Sequence, residues 1–154
     1  MRSKRSRAPK EVFLSHSSRD LVFGRRLAET LAKKDIKTFF SPKQIQGAQE
    51  WHDEIGSALQ RCDWFLLVLS PSSVESWWVK HELLFALQAS RYQNRIVPIF
   101  YKNCDAEKLS WVLSAIQHID FRKDFHSGCR ELLRLWGLAY LRPKFTGASA
   151  KRRR

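Results

Sequence analysis

The chain has 154 residues, of which 44% are hydrophobic and 28% are charged, and its formal net charge is +13. This length suits one domain with a real hydrophobic core, and the composition is that of a soluble globular protein. We expect no membrane span and no secretory leader. The apolar runs fall well short of the roughly 20 residues that a membrane helix needs, and the basic start of the chain has no apolar segment.

The positive charge is concentrated at the two ends. Residues 1–10 carry five Lys and Arg, residues 141–154 carry six, and neither segment contains an acid, which leaves +2 for residues 11–140. We therefore expect a nearly neutral folded domain at 11–140, between a basic disordered tail and a basic tail or linker. Nucleic acid is not expected as a partner except through these tails, because a nucleic-acid domain interleaves basic and aromatic residues across its folded face.

The cysteines and histidines exclude two kinds of site. Three cysteines, far apart and odd in number, form neither a disulfide framework nor a CxxC pattern. The five histidines lack the spacing of a metal-binding motif, so no metal is expected. The simplest interpretation is three reduced thiols in a cytoplasmic protein.

The hydrophobic pattern switches repeatedly between the periods of strands and helices. In chain order it predicts a strand at 12–14, a helix at about 21–34, a strand at 36–40, a helix at about 50–61, a strand at 64–69, a helix at about 76–90, strands at 95–101 and 116–121, and a helix at about 126–138. Trp64–Leu69 does not alternate, which is typical of a strand buried on both faces. Pro98 removes a ladder hydrogen bond and therefore predicts a bulge or an edge in its strand.

This alternation predicts a single three-layer α/β domain. Right-handed crossovers give a flavodoxin-like parallel sheet of about five strands with helices on both faces. Ligands of such sheets bind outside the carboxyl ends of the strands. The candidate site is therefore lined by the loops at 15–20, 41–51 and 70–76.

Several kinds of chemistry are absent from these loops. The sequence has no GxGxxG and no GxxxxGK[ST] motif to hold phosphates. Ser15, His16 and Asp20 do not predict a hydrolase triad, because there is no GxSxG motif and three residues of one loop rarely reach the required geometry. The simpler interpretation is that His16 caps backbone groups, and that Ser17, Ser18 and Asp20 cap the following helix.

Glu82 is different, because it lies in the largely apolar run SWWVKHELLFAL at 76–87. Its neighbours three and four places away on a helix are Val79, Trp78, Phe85 and Ala86, so no cation of the same helix pairs with it. Two interpretations stay open from spacing alone. Glu82 is either a functional acid near the strand ends or a partly buried acid paired with a Lys or Arg from another element.

At these residues the chain resembles a TIR (Toll/interleukin-1 receptor) domain, most closely the bacterial members. The resemblance covers about residues 10–140 and rests on the order and spacing of several segments: VFLSHSSRD at 12–20, the segment from IQGAQEW to KHEL at 45–83, RIVPIF at 95–100 and IQHIDF at 116–121.

The resemblance implies an enzyme that cleaves NAD⁺ between nicotinamide and ribose and releases ADP-ribose or a cyclic isomer. Catalytic members depend on a glutamate in an S-x-W-V-x-x-E-L pattern, which Ser76, Trp78, Val79, Glu82 and Leu83 fill here. Glu82 is thus the implied catalytic residue and Trp78 an aromatic beside the substrate. NAD⁺ is the substrate, and no cofactor is implied.

Further contacts are implied by position in the family fold. Ser15, His16 and Ser17 would lie beside the diphosphate or the nicotinamide ribose. Gln44 and Gly47 belong to the BB loop, which would form a lid over the ligand.

The resemblance also implies an alternative. Other TIR domains are non-catalytic signalling modules that act by homotypic association with further TIR domains. In either case the implied biology is an oligomeric effector in the cytoplasm, acting in innate immunity, antiviral defence or cell death.

Overall fold

The structure is a computed structural model that describes residues 8–40 and 48–143. A five-stranded sheet lies at its centre, in the order β2-β1-β3-β4-β5, and every neighbouring pair of strands is parallel. The strands are β1 (Glu11–Ser15), β2 (Lys37–Phe40), β3 (Trp64–Leu69), β4 (Ile96–Phe100) and β5 (Ile119–Asp120).

Helices cover both faces of this sheet. The α-helices among the described residues are α1 (Leu21–Ala32), α2 (Ala48–Arg61), α3 (Trp77–Gln88) and α4 (Phe125–Leu135). Side chains of α1 and α4 share one buried cluster with the sheet, and side chains of α2 and α3 share a second cluster on the opposite face. The predicted three-layer, flavodoxin-like α/β fold is confirmed.

Strand β3 joins the two clusters. Leu66 and Val68 point to the α1–α4 side, whereas Phe65, Leu67 and Leu69 point to the α2–α3 side. Because each large apolar side chain contributes about 1.5–3 kcal/mol when it leaves water, this strand anchors both halves of the core. The prediction of a strand buried on both faces is confirmed.

Pro98 lies in an interior strand, so the prediction of an edge or a bulge was wrong. Strand β4 pairs with β3 without a break, from Phe65–Ile96 to Leu69–Phe100. The Arg95 carbonyl accepts from the Phe65 N–H of β3, and the Phe100 carbonyl accepts from the Phe121 N–H on the β5 side. Because the backbone polar groups of successive residues in a strand face opposite neighbours, the nitrogen of Pro98 faces β5, as Phe100 does. Pairing with β5 begins only at Ile99, and the missing N–H therefore removes no ladder bond.

Two element ends differ from the predictions. Strand β5 is only Ile119–Asp120, shorter than the predicted 116–121, and pairs with β4 only at Ile99 and Phe100. Helix α4 ends at Leu135, since Gly137 adopts a positive φ of 75°. The N–H groups of Gly137 and Leu138 then bond the last carbonyls of the helix, which is a Schellman ending.

The thiols of the three cysteines are free, as predicted. Burial raises the pKa of Cys62 to about 12, and it raises the pKa of Cys129 to about 12 as well. A thiol with such a pKa forms almost no thiolate near neutral pH, so both side chains act as small apolar core residues.

Within the ranges that the structure describes, no helix combines the length and the apolar composition that crossing a bilayer requires.

Two helical glycines give a matched test of packing. A Cβ atom at Gly128 would lie 2.4 Å from the Phe121 ring, whereas one at Gly56 would meet nothing within 4 Å. We expect Gly128→Ala to lower the free energy of unfolding by about 1–3 kcal/mol through overpacking. We expect Gly56→Ala to raise it by about 0.5–1 kcal/mol, because alanine favours the helix. Urea denaturation measures both. Equal effects of the two substitutions would contradict the packing of α4 on Phe121.

Candidate active site

The carboxyl ends of β1 and β3 lie side by side, because the two strands are paired from Val12–Trp64 to Ser15–Leu67. The residues that follow each strand therefore meet at the same edge of the sheet. The segment after β1 leads into α1, and the segment after β3 leads into α3. This edge is where the sequence predicts the site.

The start of α3 is fixed by its own sequence. A short 3₁₀-helix at Ser73–Glu75 comes first, and Ser76 then begins α3 by accepting a hydrogen bond from the Val79 N–H at 3.2 Å. The expectation that Ser76 begins the helix is confirmed. Losing such an N-cap typically costs about 0.5–2 kcal/mol.

Glu82 lies on the buried face of α3, one and a half turns from its start. Its neighbours on that face are Val79, Leu83 and Ala86, and the side chain is only 3% exposed. The Ser15 hydroxyl, 67 residues earlier in the chain, donates a hydrogen bond to Glu82 Oε1 at 2.6 Å. The carboxylate is thus held against the end of β1 and does not extend into solvent.

Ser15 therefore has a more specific place than the sequence predicts. It is fully buried at the last position of β1, and its described hydrogen bond goes to Glu82. A carboxylate has about four lone-pair sites, and the hydrogen bond from Ser15 occupies one of them. Ser15 orients the acid, whatever else it contacts.

His16 and Ser17 bond to their own loop. The Nδ1 atom of His16 donates to the Ser17 carbonyl at 2.8 Å, and the ring packs edge-on against Phe40. The Ser17 hydroxyl accepts from the Arg19 N–H at 3.2 Å and begins the 3₁₀-helix Ser18–Asp20. Both residues are buried at the predicted edge, and their simpler interpretation as loop caps is confirmed.

Asp20 is the residue whose position the sequence predicts least well. It is 4% exposed and occupies the N-cap position of α1, yet its side chain makes no capping bond. Instead, its Oδ2 atom accepts from the Ser70 hydroxyl at 2.5 Å. The described side-chain bonds of Ser15, His16 and Asp20 go to Glu82, the Ser17 carbonyl and Ser70.

Two tryptophans begin α3 and differ in burial. Trp78 is half-buried and packs against the α2–α3 cluster, whereas Trp77 is 60% exposed and stacks on His81. Their rings meet edge-to-face at 4.7 Å between centroids. Trp78 is thus beside the buried face of α3 that carries Glu82.

Gln44 and Gly47, predicted for the lid, lie outside the described residues. Among the residues that are described, no group of three or more His, Cys, Asp or Glu side chains could hold a metal ion.

A third acid lies farther along the same edge, at the end of β5. Asp120 binds Arg122 through two side-chain hydrogen bonds and one backbone hydrogen bond. These bonds hold the pKa of Asp120 at about 2, so it stays ionised at any physiological pH. Because Asp120 is paired and about one-third exposed, it is a surface ion pair and not a candidate acid.

The described residues also line a groove of 1110 Å³ at the opposite edge of the sheet. Its walls include Trp64 and Ile96 at the amino ends of β3 and β4, and Gln88 at the end of α3. Glu82 does not line it. Because ligands of such sheets bind at the carboxyl ends of the strands, we do not assign the substrate to this groove.

The fold and the carboxyl edge of its sheet define a class of protein. It is a doubly wound parallel α/β domain that carries a buried glutamate on its third α-helix. Residues 12–133 match the family model for the TIR domain. The chain belongs to the TIR domain family.

Curated relatives come from plants and from a bacterium. The chain is 30% identical over 102 residues to TMV resistance protein N of Nicotiana glutinosa, covering 64% of the chain and 9% of that protein. It is 28% identical over 93 residues to a probable 2′ cyclic ADP-D-ribose synthase, BdTIR, of Brachypodium distachyon, covering 59% and 40%. It is 27% identical over 95 residues to NAD(+) hydrolase TirS of Staphylococcus aureus, covering 60% and 34%. The match thus covers less than half of each of these relatives.

Solved structures agree on the fold. The TIR domain of the Toll-related receptor TRR-2 from Hydra magnipapillata superimposes with a TM-score of 0.66 at 20% identity, covering 81% of this chain and 96% of that one. The TIR domains of the activated Roq1 resistosome give 0.63 at 20% identity, covering 81% and 98%.

The bond between Ser15 and Glu82 predicts a stability effect. Ser15→Ala removes a donor from a buried carboxylate, so we expect the free energy of unfolding to fall by about 1–3 kcal/mol. Ser114→Ala is the control, because the described hydrogen bond of that exposed hydroxyl goes to the nearby Trp111 carbonyl, and we expect a change within about 0.5 kcal/mol. Urea denaturation measures both variants. If Ser15→Ala cost no more than Ser114→Ala, the hydroxyl would not be what holds the acid.

Proposed function

We propose that this domain cleaves the bond between nicotinamide and ribose in NAD⁺, with Glu82 as its catalytic residue. The observation that carries the proposal is the Glu82 carboxylate, buried on α3 and hydrogen-bonded to Ser15 at the carboxyl edge of the sheet. Two relatives support it, because one is named an NAD(+) hydrolase and another a probable 2′ cyclic ADP-D-ribose synthase.

The chemistry explains why a single carboxylate suffices. Glycosidases that cleave an oxygen leaving group use two carboxyl groups, one of which protonates that oxygen. In NAD⁺ the leaving group is a cationic pyridinium. The electron pair of the breaking C1′–N bond neutralises it, and nicotinamide departs without being protonated.

The ribose carbon then becomes electron-poor and takes on oxocarbenium character. A carboxylate held in a water-poor site stabilises this positive charge more strongly than it would in bulk water. Because Ser15 and the helix already hold Glu82 in place, little reorganisation is needed as the charge develops.

The reaction ends when a nucleophile attacks C1′. Water yields linear ADP-ribose after losing a proton, and a nucleophile within the ADP-ribose itself yields a cyclic product. A carboxylate beside the ribose can orient either nucleophile through hydrogen bonds. No cofactor takes part in this scheme, in which NAD⁺ is the substrate.

The remaining predicted contacts have separate places in this scheme. Trp78 would pack against a ring of the substrate, and the His16–Ser17 segment would border the ribose or the diphosphate. Gln44 and Gly47 would cover the ligand from the BB loop. In a cell, we infer a cytoplasmic effector of immunity or cell death that consumes NAD⁺ or makes a nucleotide signal.

We expect Glu82→Ala and Glu82→Gln to lower kcat by about 10²–10³, the size of effect seen when a preorganised electrostatic group is removed. The matched control is Glu75→Gln, an exposed acid just before α3 that pairs with Lys108, and we expect its kcat to equal that of the wild type. Nicotinamide release is measured by chromatography at high protein concentration, which also separates linear from cyclic ADP-ribose. Turnover retained by both Glu82 variants would remove this residue from the mechanism.

A second candidate function is self-association, favoured by one specific observation. The outer face of α3 exposes Trp77, Leu84 and Phe85 by 60%, 39% and 40%. Exposed aromatic residues in one patch are typical of protein interfaces. A second copy of this chain is the proposed partner, and the solved TIR domains of the Roq1 resistosome are an assembled relative of the same fold.

We expect Trp77→Ser to weaken self-association at least tenfold, since large aromatic anchors dominate such interfaces. Trp111→Ser is the matched control, because Trp111 is also exposed, at 77%, but lies on a different segment. Sedimentation velocity over a concentration series measures both. The same association constant for the two variants would exclude the α3 face as the interface.

A further inference from the structure

A second buried carboxylate lies at the same edge as Glu82 and has no role in the chemistry above. Asp20 is 4% exposed, and its Oδ2 atom accepts from the Ser70 hydroxyl at 2.5 Å. The two residues are 50 positions apart in the chain. Burying a carboxylate is costly unless it is hydrogen-bonded, so the bond from the Ser70 hydroxyl offsets part of the cost of burying Asp20.

Ser70 connects Asp20 to a compact turn that precedes α3. Its hydroxyl accepts from the Ser73 N–H at 3.1 Å while it donates to Asp20, so both its hydrogen-bonding functions are used. In return the Ser73 hydroxyl accepts from the Ser70 N–H at 2.9 Å. The Ser70 carbonyl also accepts from the Val74 N–H at 3.2 Å. These bonds fix the chain between the end of β3 and the start of α3.

The contacts Asp20–Ser70 and Ser15–Glu82 join the same two pieces of the protein. Ser15 and Asp20 lie at the two ends of the β1–α1 connection, whereas Ser70 and Glu82 lie before and within α3. One contact holds the start of the β3–α3 segment, and the other holds the acid on the helix. If the first is lost, α3 can shift at its amino end, and the carboxylate shifts with it.

We propose that Asp20 is a positioning residue for Glu82, acting through Ser70 and the turn at Ser70–Ser76. The structural part of this inference stands on the hydrogen bonds, and its effect on rate rests on the proposed NAD⁺ cleavage. Asp20 is not a catalytic residue in this account, because its described contact is with Ser70 and not with the reacting atoms. Its carboxylate acts only as a hydrogen-bond acceptor.

The test compares three substitutions at this contact with one elsewhere. Asp20→Ala and Ser70→Ala remove the bond, whereas Asp20→Asn keeps an oxygen that can accept from Ser70. Asp124→Ala is the matched control, because Asp124 also occupies a helix N-cap position, where it accepts from the Ser127 N–H, but it begins α4. Thermal unfolding of each variant fixes a temperature at which all four are fully folded.

Two measurements are made on each protein. The first is nicotinamide release over a range of NAD⁺ concentrations. A misplacement of about 1 Å can cost about 10²-fold in rate, so we expect Asp20→Ala and Ser70→Ala to lower kcat by about 10- to 100-fold. We expect an unchanged KM in both, and we expect Asp20→Asn and Asp124→Ala to keep the wild-type kcat.

The second measurement is amide hydrogen exchange, which does not depend on activity. We expect peptides covering residues 70–80 to exchange faster in Asp20→Ala and Ser70→Ala than in the wild type. We expect no change in these peptides in Asp124→Ala.

The outcomes separate this inference from the proposed function. A wild-type protein without NAD⁺ turnover would overturn the proposed function, and exchange at residues 70–80 would still decide the positioning role. Unchanged exchange in Asp20→Ala would overturn the inference. So would an Asp20→Ala loss confined to KM, equal losses of kcat in Asp20→Ala and Asp124→Ala, or a failure of Asp20→Asn to restore the rate.

Discussion

The hydrogen bond between the Ser15 hydroxyl and the Glu82 carboxylate is the contact on which the site depends. An acid that is 3% exposed loses most of its hydration and needs partners in the folded protein. The sheet order supplies one, because β1 and β3 are neighbours and α3 follows β3 directly. The topology therefore brings an acid on one crossover to a hydroxyl at the end of an adjacent strand.

The same topology determines which end of the sheet carries the candidate catalytic groups. At the amino ends of the strands, a groove is lined by residues of β3 and β4 and by the ends of α3 and α4. At the carboxyl ends, hydroxyl and carboxylate groups are buried against each other in two contacts, Ser15–Glu82 and Asp20–Ser70. Buried polar groups of this kind cost stability unless they are satisfied, and they cluster where a protein needs fixed geometry.

Much of the fold could be predicted from sequence, because its strongest signals are local. The unalternating Trp64–Leu69 identified the central strand, and the apolar surroundings of Glu82 identified the acid. The end of α4 was missed although Gly137 marks it in the sequence. The partners of Ser15 and Asp20 could not be predicted from local spacing, because they lie 67 and 50 residues away and only the strand order brings them together. Asp20 also fits an N-cap pattern, which made a local role the simpler interpretation.

The most direct test of the account is a crystal structure of the Glu82→Gln variant with NAD⁺ bound, since the amide preserves the shape of the side chain while slowing the reaction. The account predicts that the nicotinamide ribose lies within hydrogen-bonding distance of residue 82, at the carboxyl ends of β1 and β3. NAD⁺ bound in the groove at the amino ends of the strands, with residue 82 far from the ribose, would contradict it.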